Sequence, residues 1–288
     1  MKPSLSKAFL MAAGFSLVAA SQSFSQGTTV TIEPAKDNSI FSEAVESNGQ
    51  GSYLFVGRTN EPSIRRALLQ FDVAGAVPAG AIIESATLTL LMNKTIVGGQ
   101  NIGAYRLSRD WGEGTSNAAA HEGKGAPATA GDATWLNVIH PSVPWTTAGG
   151  DFAVSPSASK VVNQNGSYTW EGAGMVSDVQ QMLDNPANNF GWILIGPENT
   201  TSAKRFASRE STLPTDKPPT LTITYSMAAP TWAGYPINPD GQSVDTGSWI
   251  GWIDIEKQPW IYSYGLNKYI YVQEQFVGPG GGWIWAGK

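Results

Sequence analysis

Residues 189–210 read NFGWILIGPENTTSAKRFASRE, the most informative segment of the chain for its fold. It begins with an apolar run at residues 190–195, continues through a polar turn and ends in a short segment rich in cations. Successive side chains of a strand point to opposite faces, so a run without polar side chains is satisfied only by burial on both faces. We therefore predict that residues 190–195 form a central strand of a sheet.

The same alternation sorts the segment KRFASR at residues 204–209. It predicts Lys204 on one face of a second strand and Arg205 on the other. Arg209 would share the face of Arg205, with the small Ala207 between them. Planar guanidinium groups bind carboxylates and sulfates through paired hydrogen bonds, and a small residue leaves the surface between them open. The segment predicts a site for an extended anionic ligand, with internal ion pairs as the alternative.

Further candidates come from other segments. In RRALLQFD, residues 65–72, Arg65 shares a face with apolar side chains, and we expect it to bind an internal carboxylate, either Glu210 or Glu113. Three tryptophans could bind sugar rings by stacking, although most tryptophans in proteins are packed in the core. Buried arginines are usually paired, which leaves two interpretations for the cations as well. The residues open to either ligand contact or an internal structural role are Arg66, Lys204, Arg205, Arg209, Trp135, Trp145 and Trp170.

The N-terminus has the pattern of a secretory signal. Lys2 and Lys7 precede a 13-residue apolar stretch at residues 8–20, and small polar residues follow. Such a stretch is too short to span a membrane as a helix. We predict a signal peptide over residues 1–26, cleaved between Ala20 and Gln26, no transmembrane segment elsewhere, and a secreted, extracellular protein.

Composition excludes several classes of function. The chain has no cysteine, which removes disulfides, thiolate metal sites and thiol nucleophiles. Residues 1–26 hold two of the 18 basic residues and none of the 23 acidic ones, so the mature chain has 16 basic and 23 acidic residues and a formal charge of −7. Phosphate binding needs a basic footprint, so nucleic acid is not an expected partner.

Short strand-like segments separated by turn residues recur over residues 27–226 and predict an all-β fold, an antiparallel β-sandwich or jelly roll. Apolar residues three and four apart predict one short helix at residues 174–183. The segment 111–151 is a long connection, here called the excursion, and its tryptophans predict that it is ordered. The predicted strands are residues 28–32, 53–56, 66–71, 86–92, 101–107, 168–170, 190–195, 204–207 and 220–225.

Several sequence blocks occur in a fixed order along this domain. They are Asp37-Asn38 with Ile40, RRALLQFD followed by VPAGAIIESATLTL, RDWGEGT, GDATW with PW and GGDF, NPANNFGWILIG, KRFASRES, and PPTLTITY. Together they resemble the DNRLRE-domain family, which is related to the disaggregatase repeats and classed in part among carbohydrate-binding modules. The resemblance covers about residues 28–226 and implies a secreted β-sandwich that binds polysaccharide. The family usually has an Asp-Val-Thr turn before its helix, where this chain reads YTWEG at residues 168–172.

Residues 227–288 form a linker and a tail that holds six of the 11 tryptophans. Its segments WAGYP, VDTGSWIGWIDIE, QPWIYSYGLNKYIYV and GGWIWA resemble short aromatic-rich C-terminal modules of exported bacterial proteins. Glycines punctuate segments that alternate or run as strands, which predicts a small β-hairpin module. Aromatic side chains must supply much of so small a core. We expect the tail to act as an adhesive or anchoring module, with the cell envelope as one possible partner.

Catalytic chemistry has few candidates in this sequence. A hydrolase or lyase needs an acid and a base within reach of each other, and the only histidines are His121 and His140. Neither has metal-ligand spacing, and no nucleophile elbow, HExxH motif or phosphate loop occurs. We predict that the protein is not an enzyme.

Acidic residues leave two further possibilities. Carboxylates near tryptophans could pair as the acid and nucleophile of a glycosidase, although Asp-Gly and Gly-Asp neighbours are typical of turns. Oxygen ligands could also hold calcium, although no spacing approaches the EF-hand loop. The glycosidase candidates are Asp110, Glu113, Asp132 and Asp151. The calcium candidates are Asp37, Asn38, Asp132, Asp240 and Asp245.

The sequence therefore predicts an exported, non-catalytic protein that binds polysaccharide, with acidic glycans preferred because the candidate site is cationic. No cofactor is expected unless calcium binds. The alternative is a structural or adhesive surface protein anchored by its aromatic tail. A polysaccharide lyase or hydrolase is the third hypothesis, which the missing acid–base constellation disfavours.

Overall fold

A computed structural model of the chain describes residues 27–278 and 281–284, without the side chains of residues 120–122. The predicted signal peptide at residues 1–26 lies outside the described residues. The described chain forms two compact units, the first ending at Ala228 and the second beginning at Ala229. The two units are called the N-terminal unit and the C-terminal unit below.

The N-terminal unit consists of short strands with two helices. Its strands are β1 (Thr28–Ile32), β2 (Lys36–Phe41), β3 (Glu46–Ser47), β4 (Tyr53–Arg58), β5 (Ile64–Gln70), β6 (Ala81–Thr95), β7 (Gln100–Arg106), β8 (Ala126–Pro127), β9 (Asn137–Ile139), β10 (Val143–Pro144), β11 (Ala158–Val162), β12 (Gly166–Glu171), β13 (Trp192–Ile195), β14 (Lys204–Ala207) and β15 (Thr220–Met227). Its helices are α1 (Val73–Ala76) and α2 (Ala173–Asp184), with 3-10 turns at Ala119–Lys124 and Pro186–Asn188.

Thirteen of these strands form two antiparallel sheets, and β9 and β10 form a separate antiparallel pair. The first sheet contains β1, β15, β6, β12, β14 and β4, and the long β6 pairs with three of the other strands. The second sheet contains β2, β3, β8, β5, β13, β7 and β11. Strand β4 belongs to both, because its first residues pair with β14 whereas Gly57 and Arg58 pair with β5. The all-β, sandwich-like fold predicted from the sequence is confirmed.

The main core lies between the two sheets. Trp170, Trp192 and Phe206 are fully buried in it, and the rings of Trp170 and Phe206 meet edge to face with centroids 6.1 Å apart. Helix α2 contributes its buried face to the same core. That face consists of residues three or four positions apart, the spacing from which the helix was predicted. They are Met175, Val179, Met182 and Leu183.

A second apolar cluster covers the outer face of the second sheet. Strand β13 lies between β5 and β7, and its Ile193 belongs to this cluster whereas Trp192 and Leu194 belong to the main core. The chain from Trp111 to Asp151 folds over this face, with Trp111 and Trp145 buried. The excursion is therefore ordered, as its tryptophans predict.

The C-terminal unit is a set of short antiparallel pairs around a core of its own. A four-stranded meander runs in the order β18–β19–β20–β21, and single hairpins precede and follow it. The strands are β16 (Thr231–Trp232), β17 (Tyr235–Pro236), β18 (Ser243–Asp245), β19 (Trp252–Asp254), β20 (Trp260–Ser263), β21 (Lys268–Tyr271), β22 (Val277–Gly278) and β23 (Gly281–Gly282), with a 3-10 turn at Glu274–Phe276. The core contains Trp232, Val244, Ile253, Ile255, Ile261, Ile270 and Val272.

Among the residues that the structure describes, no helix combines the length and the apolar character needed to cross a membrane.

The position of Trp170 generates a stability prediction. Trp170→Ala should lower the free energy of unfolding by about 3–5 kcal/mol, because it leaves a large cavity in the main core. It also removes the indole donor that binds the Ile102 carbonyl at 2.8 Å. Urea unfolding measures the change, with Val154→Ala as the control, since Val154 is 98% exposed. A loss below about 1 kcal/mol for Trp170→Ala would contradict the described core.

Candidate functional site

Two of the three candidate sugar-stacking tryptophans are internal. Trp170 is fully buried between the sheets, and its Nε1 donates to a backbone carbonyl. Trp145 is only 5% exposed, and its Nε1 donates to the Thr134 carbonyl at 2.9 Å inside the second cluster. A ligand cannot reach either ring, so the binding role proposed for Trp145 and Trp170 is wrong. Trp145 and Trp170 are instead buried in apolar cores, because a large ring removes much apolar area from water when it is buried.

Lys204 is also internal. Its side chain lies on the core side of β14, and its Nζ donates to Thr95 Oγ1 at 2.6 Å, to the Val97 carbonyl at 2.6 Å and to the Gly98 carbonyl at 2.7 Å. These three bonds use all three donors of the ammonium group. Burial lowers the pKa of Lys204. Lys204 therefore stabilises the turn after β6 and has no donor left for a glycan, which corrects its assignment.

Arg66 and Trp135 form one internal unit on the outer face of the second sheet. The guanidinium of Arg66 binds both oxygens of Glu198, at 2.7 and 2.9 Å, and donates to the Gly149 carbonyl at 2.7 Å. Its carbon lies 4.7 Å from the ring centroid of Trp135. The charge of Arg66 is neutralised, and the guanidinium covers one face of the half-buried indole, so Trp135 stays a candidate only through its other face. The alternative interpretation, an internal ion pair, holds for Arg66.

Arg205 and Arg209 do not form the predicted pair. Strand β14 ends at Ala207 and the chain turns at the next residues, so the alternation that would place both arginines on one face stops before Arg209. Arg209 binds both oxygens of Glu113 at 2.9 Å and one oxygen of Glu210 at 2.7 Å. Arg209 is exposed and part of an ion-pair network, so the alternative interpretation, an ion pair, describes it as well.

Arg205 remains a candidate ligand residue, as the sequence predicted. Its Nε donates to the Asn93 side chain at 2.8 Å, and its guanidinium carbon lies 3.7 Å from the ring centroid of Tyr53. Within the described residues, no carboxylate is bonded to Arg205. The ring orients the guanidinium without neutralising it, since a cation above an aromatic face keeps its charge.

Arg205 lies in a cleft of about 720 Å³ over the outer face of the first sheet, here called the Arg205 cleft. Half-buried Tyr53 and Phe55 of β4 lie beside it. The walls come from the end of β6, the loop after β4, the segment before β3 and the 3-10 turn Ala119–Lys124. A second depression of about 760 Å³ beside α2 contains Glu84 and Glu171 and no cation among its described lining residues. Of the two, the Arg205 cleft has the chemistry for an anion.

The described side chains of the Arg205 cleft leave a small positive excess. Among the described lining residues there are five bases and three acids. Two bases are already satisfied, because Lys204 is bound internally and Arg65 is paired with Glu43. The remaining bases, Lys94, Lys124 and Arg205, face two acids, Glu46 and Glu61.

Arg65 is the buried arginine that the sequence predicted to bind an internal carboxylate. Its partner is Glu43, bound through both oxygens at 2.7 Å, and not Glu210 or Glu113. Arg65 is 3% exposed and also donates to the Gly123 carbonyl at 3.2 Å. Burial disfavours the ionised carboxyl, but the hydrogen bonds and charge of Arg65 outweigh it and hold the pKa of Glu43 below its usual value.

Three acids meet at the other end of β14, and they are called the carboxylate cluster here. They are Asp37 of β2, Glu113 of the excursion and Glu210 of the turn after β14. The Asp37 backbone N–H donates to Glu113 at 2.8 Å, and the Arg209 backbone N–H donates to Asp37 Oδ2 at 2.9 Å. Asp37 is fully buried, so a substrate cannot reach it as it would reach a catalytic carboxylate.

Two oxygens of the carboxylate cluster have no hydrogen-bond donor in the described structure. They are Asp37 Oδ1 and Glu210 Oε2. Burial, followed by the negative charge of Glu210, raises the pKa of Asp37 well above its usual value. Burial also raises the pKa of Glu210.

The other candidate acids serve turns and surface pairs. Asp110 binds Lys36 at 2.7 Å, and the carboxylate of Asp151 accepts the backbone N–H groups of Thr146 and Thr147. Asp132, a candidate for both roles, accepts backbone N–H groups of Ser116 and Thr129. In the C-terminal unit the carboxylates of Asp240 and Asp245 accept backbone N–H groups of their own turns.

The remaining candidates have internal or undescribed side chains. The Asn38 amide donates to Ser47 Oγ at 2.9 Å and to the Glu113 carbonyl at 3.0 Å. His140 is half-buried, and its Nδ1 has no partner among the described residues. The side chain of His121 lies outside the described residues.

The sequence prediction missed most of the residues that line the Arg205 cleft. Tyr53 and Phe55 alternate with the buried Leu54 and Val56, so the period of β4 already placed both rings on an outer face. Lys94 lies at a bulge where β6 pairs with β14, opposite Arg205. No local pattern shows that pairing.

A comparison of the chain with protein-family models finds no match, and a comparison with curated proteins finds none either.

The Glu43–Arg65 pair generates a pH prediction. Glu43→Gln should lower the free energy of unfolding near pH 7 by about 1–2 kcal/mol, because buried Arg65 loses a charged partner. A carboxyl whose folded pKa is lowered stabilises the protein above its usual value, here 4.5, and this contribution disappears as the pH falls through the lowered pKa. The difference between wild type and variant should therefore shrink below pH 4.5.

Urea unfolding at a series of pH values measures this difference. Glu171→Gln is the matched control, since Glu171 is an exposed acid on β12. A difference between wild type and Glu43→Gln that stays constant with pH would show that the charge of Glu43 does not stabilise the fold.

Proposed function

We propose that this chain is an exported, non-catalytic polysaccharide-binding protein whose N-terminal unit holds acidic glycans in the Arg205 cleft. Arg205 carries the proposal, because it is a half-buried cation that lies on an aromatic ring and has no bonded carboxylate among the described residues. A cation held in this way is pre-organised for a carboxylate or sulfate, since little side-chain freedom is lost on binding.

The neighbours of Arg205 support a sugar ligand. Tyr53 and Phe55 provide ring surface, and sugar rings present C–H-rich faces that pack on such surface. Lys94 and Lys124 are exposed at the walls and add positive charge. A cleft lined by aromatic surface and a few polar groups is the usual form of a ligand site.

Two further observations support the proposal from the sequence. The resemblance to the DNRLRE-domain family implies polysaccharide binding by a secreted β-sandwich, and it stays a prediction. Export follows from the signal-like pattern of residues 1–26, which also stays a prediction.

The cleft generates a binding prediction. The double variant Arg205→Ala with Lys94→Ala should weaken binding to a uronate polymer at least about tenfold, because charge-assisted hydrogen bonds contribute about 1.5–3 kcal/mol each. Affinity electrophoresis in gels that contain alginate or pectate measures the change. Binding by the wild type should also fall as salt increases, since exposed charges are screened.

The control removes the same kind of charge elsewhere. Lys160→Ala lies on β11 of the second sheet, outside the lining of the cleft, and should bind like the wild type. Unchanged retardation of the correctly folded double variant would rule out this cleft as the site. An equal loss of binding in Lys160→Ala would show that binding depends only on the net charge of the protein.

A second function, adhesion through the C-terminal unit, is favoured by the exposed face of its four-stranded sheet. Alternation buries the isoleucines of β19, β20 and β21 on one face and leaves aromatic rings on the other. The rings of Tyr262 and Tyr269 meet edge to face, with centroids 5.2 Å apart. Exposed patches of this kind mark interaction surfaces. The exposed rings, each 45–55% accessible, are Trp252, Trp260, Tyr264 and Tyr269.

If the C-terminal unit anchors the protein, deletion of residues 230–288 should release it from the cell surface into the medium. Replacing Trp252 and Trp260 together by serine in the full chain should have the same effect, because it removes ring surface and leaves the buried face intact. Val154→Ser is the control, since Val154 is exposed on the N-terminal unit. Immunoblots of cell and medium fractions measure the distribution. An unchanged distribution after the deletion would contradict anchoring by this unit.

A further inference from the structure

We propose that the carboxylate cluster of Asp37, Glu113 and Glu210 is a divalent-cation site, with calcium as its ion. The three acids come from β2, the excursion and the turn after β14, which are distant in sequence. One oxygen from each residue lies within 4.8 Å of the oxygens of the other two. Oxygens bound to one calcium ion at about 2.3–2.6 Å can be at most about 5.2 Å apart, so the spacing suits a shared ion.

The hydrogen bonds of the cluster leave two oxygens without a donor among the described residues, and these are the atoms we assign to the ion. Asp37 is fully buried, and its Oδ1 has no donor among the described residues. Glu210 Oε2 is buried and also has none. A buried carboxylate oxygen without a partner is costly, and a cation bound between these two atoms would offset that cost.

The charge of the cluster matches a divalent ion. Among the described residues, the three carboxylates are paired with one cation, Arg209, which leaves two negative charges uncompensated when all three acids are ionised. Arg209 bonds Glu113 and only the Oε1 atom of Glu210. The guanidinium therefore orients two of the acids and leaves the unpartnered oxygens free.

The donor set favours calcium over other metals. It contains only carboxylate oxygens, with no histidine or cysteine among the residues described around it. Oxygen-only sets suit calcium and magnesium rather than zinc. Magnesium requires near-ideal octahedral geometry and keeps several waters, whereas calcium accepts irregular carboxylate sets. Bound calcium would tie β2, the excursion and the turn after β14 together.

The experiment uses the purified full chain after treatment with EDTA. Calcium added to about 10 mM should raise the melting temperature by roughly 5 °C or more, whereas magnesium should have a much smaller effect. Metal analysis of the protein dialysed against calcium should recover about one calcium ion per chain, as one site requires. No shift and no bound calcium in the wild type would overturn the proposal, and the two oxygens would then share a proton.

Two variants assign the ion to the cluster. Glu210→Gln should lose the calcium-dependent shift, and the control Glu171→Gln, which changes an exposed acid on β12, should keep it. A shift retained in folded Glu210→Gln would place calcium elsewhere and contradict the assignment. If Glu210→Gln does not fold, Asp37→Asn takes its place, and the calcium content of the wild type still decides whether an ion binds. These measurements involve no glycan, so their outcome is separate from that of the Arg205 cleft.

Discussion

The burial of β13 on both faces is the constraint from which the rest of the N-terminal unit follows. Trp192 and Leu194 pack between the sheets, and Ile193 packs under the excursion, so both faces of the second sheet are covered at β13. The outer face of the first sheet remains accessible and carries polar pairs such as Thr29 with Thr224. The first sheet therefore offers an open strand face for a ligand, and Tyr53, Phe55 and Arg205 of the Arg205 cleft lie on it.

Desolvation explains why two of the four predicted ligand cations, Arg66 and Lys204, are internal. A charge that is removed from water must be paired or fully hydrogen-bonded, and the fold brings suitable partners to both. Arg209 is more exposed and is paired with Glu113 and Glu210. Each of these groups holds segments together that are far apart in sequence. Arg205 differs because its neighbours are an aromatic ring and an amide, which orient the guanidinium without neutralising it. This difference separates a structural cation from one that can recognise a ligand.

The sequence predicts the strands and the helix that follow from local periodicity, but it does not show which residues pair when the partners are distant in sequence. Strands at residues 28–32 and 204–207, the amphipathic helix and the double burial of β13 follow from alternation or spacing. Strand β2 was missed because Asp37 and Asn38 interrupt its apolar pattern, and both are buried only because distant groups bond them. The partner of Arg66, 132 residues away, could not be read from the sequence, and such partners decide which cations remain free.

The most direct test of the account is a crystal structure of the protein with a short uronate oligosaccharide. We expect density for a sugar carboxylate within hydrogen-bond distance of the Arg205 guanidinium, about 2.7–2.9 Å, with a sugar ring over Tyr53 or Phe55. Arg66 and Arg209 should keep their internal carboxylates in the complex. A sugar bound elsewhere, with the Arg205 cleft empty, would contradict the central claim.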